Sequence, residues 1–219
     1  MYKFYRNYLL HLCPFSFKHH NMDSFDIKVM AEENQRKAFE IINDILQIVS
    51  CWESISAVPR LVGSLSTGLL MKHRDIDFHI YSFPVDIKKS FKAIAKIAEH
   101  PRIIHIEYTN LLDTDEACIE WHALYEDKDK VHWQIDMIHI EKGSKYDGYF
   151  ENVARRINEV LTPEMRMAIL SLKYFTPDDV SIMGIEYYKA VIKDGVRTYP
   201  EFLEWRKKYP VTGIEEWCP

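Results

Sequence analysis

Two rhythms of apolar and polar residues run along this chain. Between residues 24 and 49, Phe39, Ile42, Ile45, Leu46 and Val49 recur at helical spacing, while Glu32, Glu33, Arg36, Lys37 and Asp44 take the opposite face. That pattern predicts a helix capped by Ser24 or Asp26, running to about Val49 and packed on a sheet. Residues 55–62 read as a strand, irregular or at an edge because Pro59 lacks a backbone donor. A short helical segment is expected over 67–72 and a second strand over 75–81. Pro84 then opens a helix to about His100, with Ile87, Phe91, Ile94, Ala95 and Ala98 as its buried stripe and Lys88, Lys89, Lys92 and Lys96 mostly on the solvated side.

Strand-like stretches return over 103–108, 117–125 and 131–140, the last two joined by the polar turn Asp127-Lys128-Asp129-Lys130 as a hairpin. In the last strand Val131, Trp133, Ile135 and Met137 share one face, and His132, Gln134, Asp136 and Ile138 the other. A lone carboxylate, Asp136, thus stands in an otherwise apolar run. After Gly143 the pattern becomes helical: 151–161, then a helix with Thr162 as cap and Pro163 at its first position, ending near Pro177, then 178–193 and 199–208. The expected fold is α/β (α+β), a small mixed sheet backed by helices with a helical C-terminal part. Residues 22–142 would form the core and 143–219 the helical region.

Composition changes this picture little. A chain of 219 residues with 47% hydrophobic and 28% charged residues is a globular domain or two small ones. A formal net charge of -5 argues against generic nucleic-acid binding, which usually shows a basic surplus. Cys13, Cys51, Cys118 and Cys218 are too scattered for a zinc site. No run is long enough to span a membrane and no secretory signal is legible, so a reducing cytoplasm is expected. Residues 1–21 hold Lys3, Arg6 and Lys18 but no acid, and composition shifts abruptly at Met22-Asp23-Ser24. The expectation is that Met22 is the native start and that 1–21 is a start-site extension or a poorly ordered arm.

The chemistry concentrates between residues 61 and 81. The apolar pair Leu61-Val62 breaks at Gly63-Ser64, and Asp75-Ile76-Asp77-Phe78 follows. On a strand, Asp75 and Asp77 point the same way. Two like charges side by side are tolerated when a cation sits between them, and carboxylate oxygens suit Mg²⁺. A Gly-Ser turn just upstream offers N–H groups and a hydroxyl to phosphate oxygens. Gly63 to Gly68 has the glycine spacing of a Walker A loop, but Leu69-Leu70 stand where that loop needs Lys and Ser or Thr. Paired aspartates on a strand also hold nucleotide sugars in glycosyltransferases, which do not require the Gly-Ser turn. The bland reading is a polar strand end after an ordinary turn.

Gly63-Ser64 followed by Asp75-Ile76-Asp77 resembles the signature of the nucleotidyltransferase superfamily, with its DNA polymerase beta-like fold. The local flavour over residues 61–81 is similar to the aminoglycoside and lincosamide nucleotidyltransferases, although Thr67 stands where many aminoglycoside enzymes have Arg. The resemblance implies an enzyme that moves a nucleoside monophosphate from an NTP, with ATP as the expected donor, to a hydroxyl, releasing pyrophosphate. Asp75 and Asp77 would hold two Mg²⁺ ions. Asp136 would be the third acid, completing the site of the metal nearest the acceptor, with Glu120 as its fallback. Gly63 and Ser64 would hold the β- and γ-phosphates, and Lys173, on the helix after the sheet, would reach the triphosphate. Arg74 could neutralise triphosphate charge or pair with a surface acid. His79 and His132 read as packing or substrate-lining residues, since imidazole is a poor Mg²⁺ partner. The acceptor is a small molecule such as an antibiotic, a protein or a tRNA end. Two other classes stay open: a non-catalytic nucleotide-binding or interaction module with the same fold, and a glycosyltransferase.

Overall fold

The structure, a computed structural model, describes residues 24–211 and 215–219, without the side chains of residues 46 and 47. The expected start at Met22 and the arm 1–21 lie outside the described residues. In chain order the elements are α1 (Ser24–Asp44), α2 (Leu46–Glu53), β1 (Val58–Val62), α3 (Gly63–Ser66), β2 (Asp75–Ser82), α4 (Ile87–Ala98), β3 (Ile103–Asn110), β4 (Cys118–Glu126), β5 (His132–Glu141), α5 (Tyr149–Val160), α6 (Pro163–Phe175), α7 (Gly184–Tyr188), a π-helical turn (Lys189–Lys193) and α8 (Tyr199–Lys208). The described residues divide into two compact units. One takes Asn34–Arg155 and contains the sheet; the other takes the chain on either side of it and is helical. No helix among the described residues is long and apolar enough to cross a membrane.

Among the described residues, five strands form one mixed sheet in the order β1-β2-β5-β4-β3. Only β2 and β5 run parallel; β1 with β2, β4 with β5, and β3 with β4 are antiparallel. The alternation read from the sequence sets the two faces. Ile76, Phe78 and Ile80 of β2, Trp133, Ile135 and Met137 of β5, and Ile119, Trp121 and Ala123 of β4 are buried in the core with residues of α2 and α4. The opposite face carries Asp75, Asp77, Asp136 and Glu120, all half-buried.

Four helical expectations need correction. The helix expected from residue 178 begins only at Gly184. The long first helix is interrupted at Asp44–Ile45, and its buried positions are Ile27, Ala31, Ala38, Ile41, Ile45 and Ile48, not Phe39, which is 47% exposed. Residues 67–72 are not helical; the turn of helix comes earlier, at Gly63–Ser66. In α4 the buried face is Ser90, Ala93, Ile94 and Ile97, so Ile87, Phe91, Ala95 and Ala98 stay exposed. Asp86 caps this helix by accepting from the Lys89 N–H at 3.1 Å. Thr162 caps α6 as expected, accepting from Met165 N–H at 3.2 Å, with Pro163 at the first turn.

Ser90 is buried in α4 for a reason the periodicity does not show. Trp121 Nε1–H donates to Ser90 Oγ at 2.9 Å, and Ser90 Oγ lies 3.2 Å from His139 Nδ1. His139 Nε2 lies 2.8 Å from Ser82 Oγ, which donates to the Pro84 carbonyl at 3.1 Å. A neutral imidazole protonated on Nε2 satisfies every group: Ser90 O–H donates to Nδ1, and Nε2–H donates to Ser82. A second imidazole proton, on Nδ1, would oppose the Ser90 O–H that donates there and force that hydroxyl to find another acceptor. Burial pushes the His139 pKa down to about 4.

The folded state therefore binds fewer protons on His139 than the unfolded chain, where histidine titrates near 6.5. Its contribution is complete above about pH 7 and is lost as pH falls toward 4. Urea unfolding at pH 7.5 and pH 5 should show a fall of about 2 kcal/mol from this histidine, and His139→Gln should flatten that part of the decline.

Candidate active site

β2 and β5 are in register with Asp77 opposite Asp136 and Asp75 opposite Gln134. Paired residues on neighbouring strands share a face, with the strands about 4.8 Å apart. The sheet thus brings Asp75, Asp77 and Asp136 to one surface, although 59 residues separate Asp77 from Asp136 (136 − 77). At an effective dielectric of about 20, two carboxylates roughly 5 Å apart repel by about 3 kcal/mol.

β1 delivers the fourth component. Val62 pairs with Asp77, so Gly63 enters its turn directly over that carboxylate. Gly63 has φ +70°, and a Cβ there would lie 1.9 Å from Asp77 Oδ2 and 2.6 Å from its Cγ. Only glycine fits both the conformation and the approach. Ser64 follows in the short α3 and is half-buried. Ser66 Oγ donates back to the Gly63 carbonyl at 2.9 Å, which closes the turn.

Asp136 is held by two neighbouring side chains. His122 Nδ1 lies 2.6 Å from its Oδ1, and Gln134 Nε2 donates to Oδ1 at 2.8 Å and Oδ2 at 3.1 Å. His122 stands opposite Asp136 across the β4–β5 hairpin, and its Nε2 is 3.7 Å from Glu120 Oε2. Burial alone would lower the His122 pKa, but the bonds and charges of Asp136 and Glu120 override it and push it up to about 10. At neutral pH it is an imidazolium lodged between two acids.

From the sequence, His132 shares a strand face with Asp136, and nothing singles out His122. Only strand register reveals the His122 contact, because 14 residues separate the two partners. His132 instead lies 3.6 Å from Glu126. His79 is buried, with its ring edge-on to Phe150 at a centroid distance of 4.9 Å, and burial lowers its pKa to about 4. Arg74 is exposed.

Lys173 belongs to the helical unit. It is buried on α6, with Nζ donating to the Tyr188 hydroxyl at 3.3 Å and lying 5.2 Å from the centre of that ring. Glu120 groups with Glu116 and Cys118. Among the described residues, those three, rather than the aspartates, are the His, Cys, Asp or Glu set whose ligand atoms lie within 4.8 Å of one another. Burial and the acids Glu120 and Glu116 push the Cys118 thiol up to about 12, so it is a protonated thiol there.

The sheet order, the parallel β2/β5 pair and the turn over the paired aspartates define a nucleotidyltransferase-like core with C-terminal helices. No family model and no curated protein matches the sequence. Solved structures match the fold. The polymerase core of TRAMP, an RNA surveillance complex, aligns with TM-score 0.55 and 16% identity, over 85% of this chain and 63% of that one. The Cid1 poly(U) polymerase bound to Mg and 3'-dATP aligns with TM-score 0.53 and 12% identity, over 77% of this chain and 55% of that one. The GLD-2/RNP-8 complex aligns with TM-score 0.52 and 9% identity, over 86% of this chain and 71% of that one. This chain spans little more than half of the poly(U) polymerase and under two-thirds of the surveillance polymerase. The likeness supports the DNA polymerase beta-like fold and gives no support to the narrower resemblance to aminoglycoside and lincosamide enzymes.

Gly63→Ala tests the turn. The positive φ and the clash with Asp77 should cost about 1–3 kcal/mol, read as a lower urea midpoint with unchanged slope.

Proposed function

We propose that this protein is a metal-dependent nucleotidyltransferase that moves a nucleoside monophosphate from an NTP to the 3′-hydroxyl of an RNA, releasing pyrophosphate. The observation that carries the reading is the register of Asp77 with Asp136 across the parallel strands, beneath a glycine turn that admits no side chain. The RNA acceptor rests on the solved structures that share the fold, among them a poly(U) polymerase and the polymerase of an RNA surveillance complex. It is favoured here over the small-molecule and protein acceptors left open by the sequence, and a tRNA end falls within it.

The residues fit Mg²⁺. Three carboxylates on one face supply hard oxygen donors, and the turn leaves Asp77 uncovered by any side chain at position 63. Asp75, Asp77 and Asp136 would hold two ions, whose chemistry is to neutralise triphosphate charge and polarise the attacking hydroxyl. The backbone N–H groups and hydroxyl of the Gly63-Ser64 turn orient the β- and γ-phosphates. Asp136, restrained by His122 and Gln134, aligns the acceptor side and can take the proton of the attacking hydroxyl. Catalysis rests on positioning and charge neutralisation, with no covalent bond between protein and phosphoryl group.

Calorimetric titration of ATP, CTP, GTP and UTP, with and without Mg²⁺, identifies the donor. Extension of a labelled oligonucleotide RNA then reads turnover. Asp77→Ala should lower extension by at least about 10³-fold while its circular dichroism stays that of the wild type. Turnover near wild type in that variant overturns the assignment. Metal-dependent NTP binding without extension of RNA would favour the non-catalytic nucleotide-binding module instead.

A further inference from the structure

The two edges of the sheet are treated differently by the sequence. β1, one edge, contains Pro59 and Arg60, devices that discourage another strand from pairing. β3, the other edge, has neither proline nor lysine from His105 to Asn110, and its only irregularity is the register shift between Ile103 and His105. Among the described residues, no strand pairs with the outer side of these six consecutive residues. Such an edge is a template for an added strand.

The flank of α4 beside this edge is apolar where helical periodicity would have it covered. With the buried face set by Ser90, Ala93, Ile94 and Ile97, rotation by 100° per residue places Ile87, Phe91, Ala95 and Ala98 on one shoulder. Phe91 lies 4.9 Å from Tyr108 of β3 and 4.8 Å from Trp121 of β4, so the shoulder is the one that overhangs β3. Phe91 is 46% exposed, Ile87 38% and Tyr108 37%. Beyond the apolar shoulder come Lys88 and Lys92, both exposed, and α4 carries no acid at all. An open strand edge, an apolar shelf above it and two lysines bordering the shelf form one continuous surface.

We propose that this surface takes an extended acidic peptide, added as a sixth strand antiparallel or parallel to β3 at His105–Asn110, with alternate apolar side chains under Phe91 and Tyr108 and acidic ones reaching Lys88 and Lys92. Charge selects this occupant over a second copy of the chain. Two-fold pairing of β3 with itself would bring two α4 lysine borders together, a like-charge contact that costs stability. RNA would use the lysines but not the backbone edge, and the Phe91 and Tyr108 rings already pack on each other and on Trp121 at 4.7 to 4.9 Å. The surface lies on the helix-covered face and edge of the sheet, and its use does not depend on the activity proposed above.

A displayed library of random eight-residue peptides selected on the full chain tests this. Enriched peptides should carry net negative charge with apolar residues at every second position. A synthetic enriched peptide should bind by fluorescence polarisation, and it should slow amide hydrogen exchange at His105–Asn110. Lys88→Glu/Lys92→Glu should weaken it at least tenfold, and Phe91→Ala at least threefold. Lys128→Glu, on the exposed β4–β5 turn, should leave it unchanged. The proposal fails if no peptide is enriched, if binding survives the double lysine reversal, or if β3 gains no protection. It also fails if octauridylate competes for the same lysines more tightly than the peptide, which makes the surface a nucleic-acid site, or if sedimentation shows self-association abolished by Phe91→Ala, which makes it a dimer contact.

Discussion

The parallel pairing of β2 with β5 is the constraint on which the site depends. It is the one parallel pair in an otherwise antiparallel sheet, and its register places Asp77 beside Asp136. Because side chains alternate strictly, a slip of one residue would turn either Asp136 or the pair Asp75 and Asp77 into the core. The buried residues exclude that slip, since it would expose either Ile76 and Phe78 or Ile135 and Met137. The hydrophobic face therefore sets the geometry of the acidic face. The two flanking strands then add what the acids need: β1 brings the backbone of Gly63 over Asp77, and β4 brings His122 against Asp136.

Polar groups occur on both faces of this sheet, with opposite solutions. On the helix-covered face His139 is neutral, and its two nitrogens are taken by Ser82 and Ser90. On the acidic face His122 is charged, because Asp136 and Glu120 outweigh the burial that would otherwise deprotonate it. The same side chain is a hydrogen-bond link in one place and a fixed cation in the other. The difference lies in whether carboxylates or hydroxyls meet the imidazole nitrogens.

The helices around the core show why exposed apolar residues carry information. α4 buries a narrow face that ends in Ser90, since Trp121 and His139 need a hydrogen-bonding partner inside the core. That shifts the buried face by one position relative to the apolar pattern and leaves Phe91 on the shoulder beside β3. A stripe read as core by periodicity alone is thus split between core and surface.

The sequence by itself determined the elements whose signals are local. The Asp127–Lys130 turn fixed the β4–β5 hairpin, Thr162 and Pro163 fixed the start of α6, and alternation assigned Asp75, Asp77 and Asp136 to faces of their strands. The motif Gly63-Ser64 with Asp75-Ile76-Asp77 was legible because one turn and one strand hold it, and it pointed to the nucleotidyltransferase-like core. Tertiary structure alone decided what depends on strands meeting. The opposition of Asp77 to Asp136, the approach of Gly63 to the Asp77 carboxylate, and the capture of Asp136 by His122 all require register between segments far apart in the chain. The break between α1 and α2, the helical turn starting at Gly63 and the rotation of α4 were likewise invisible. Local propensity there competes with the hydrogen bonds and packing of a core that exists only once the sheet has closed around it.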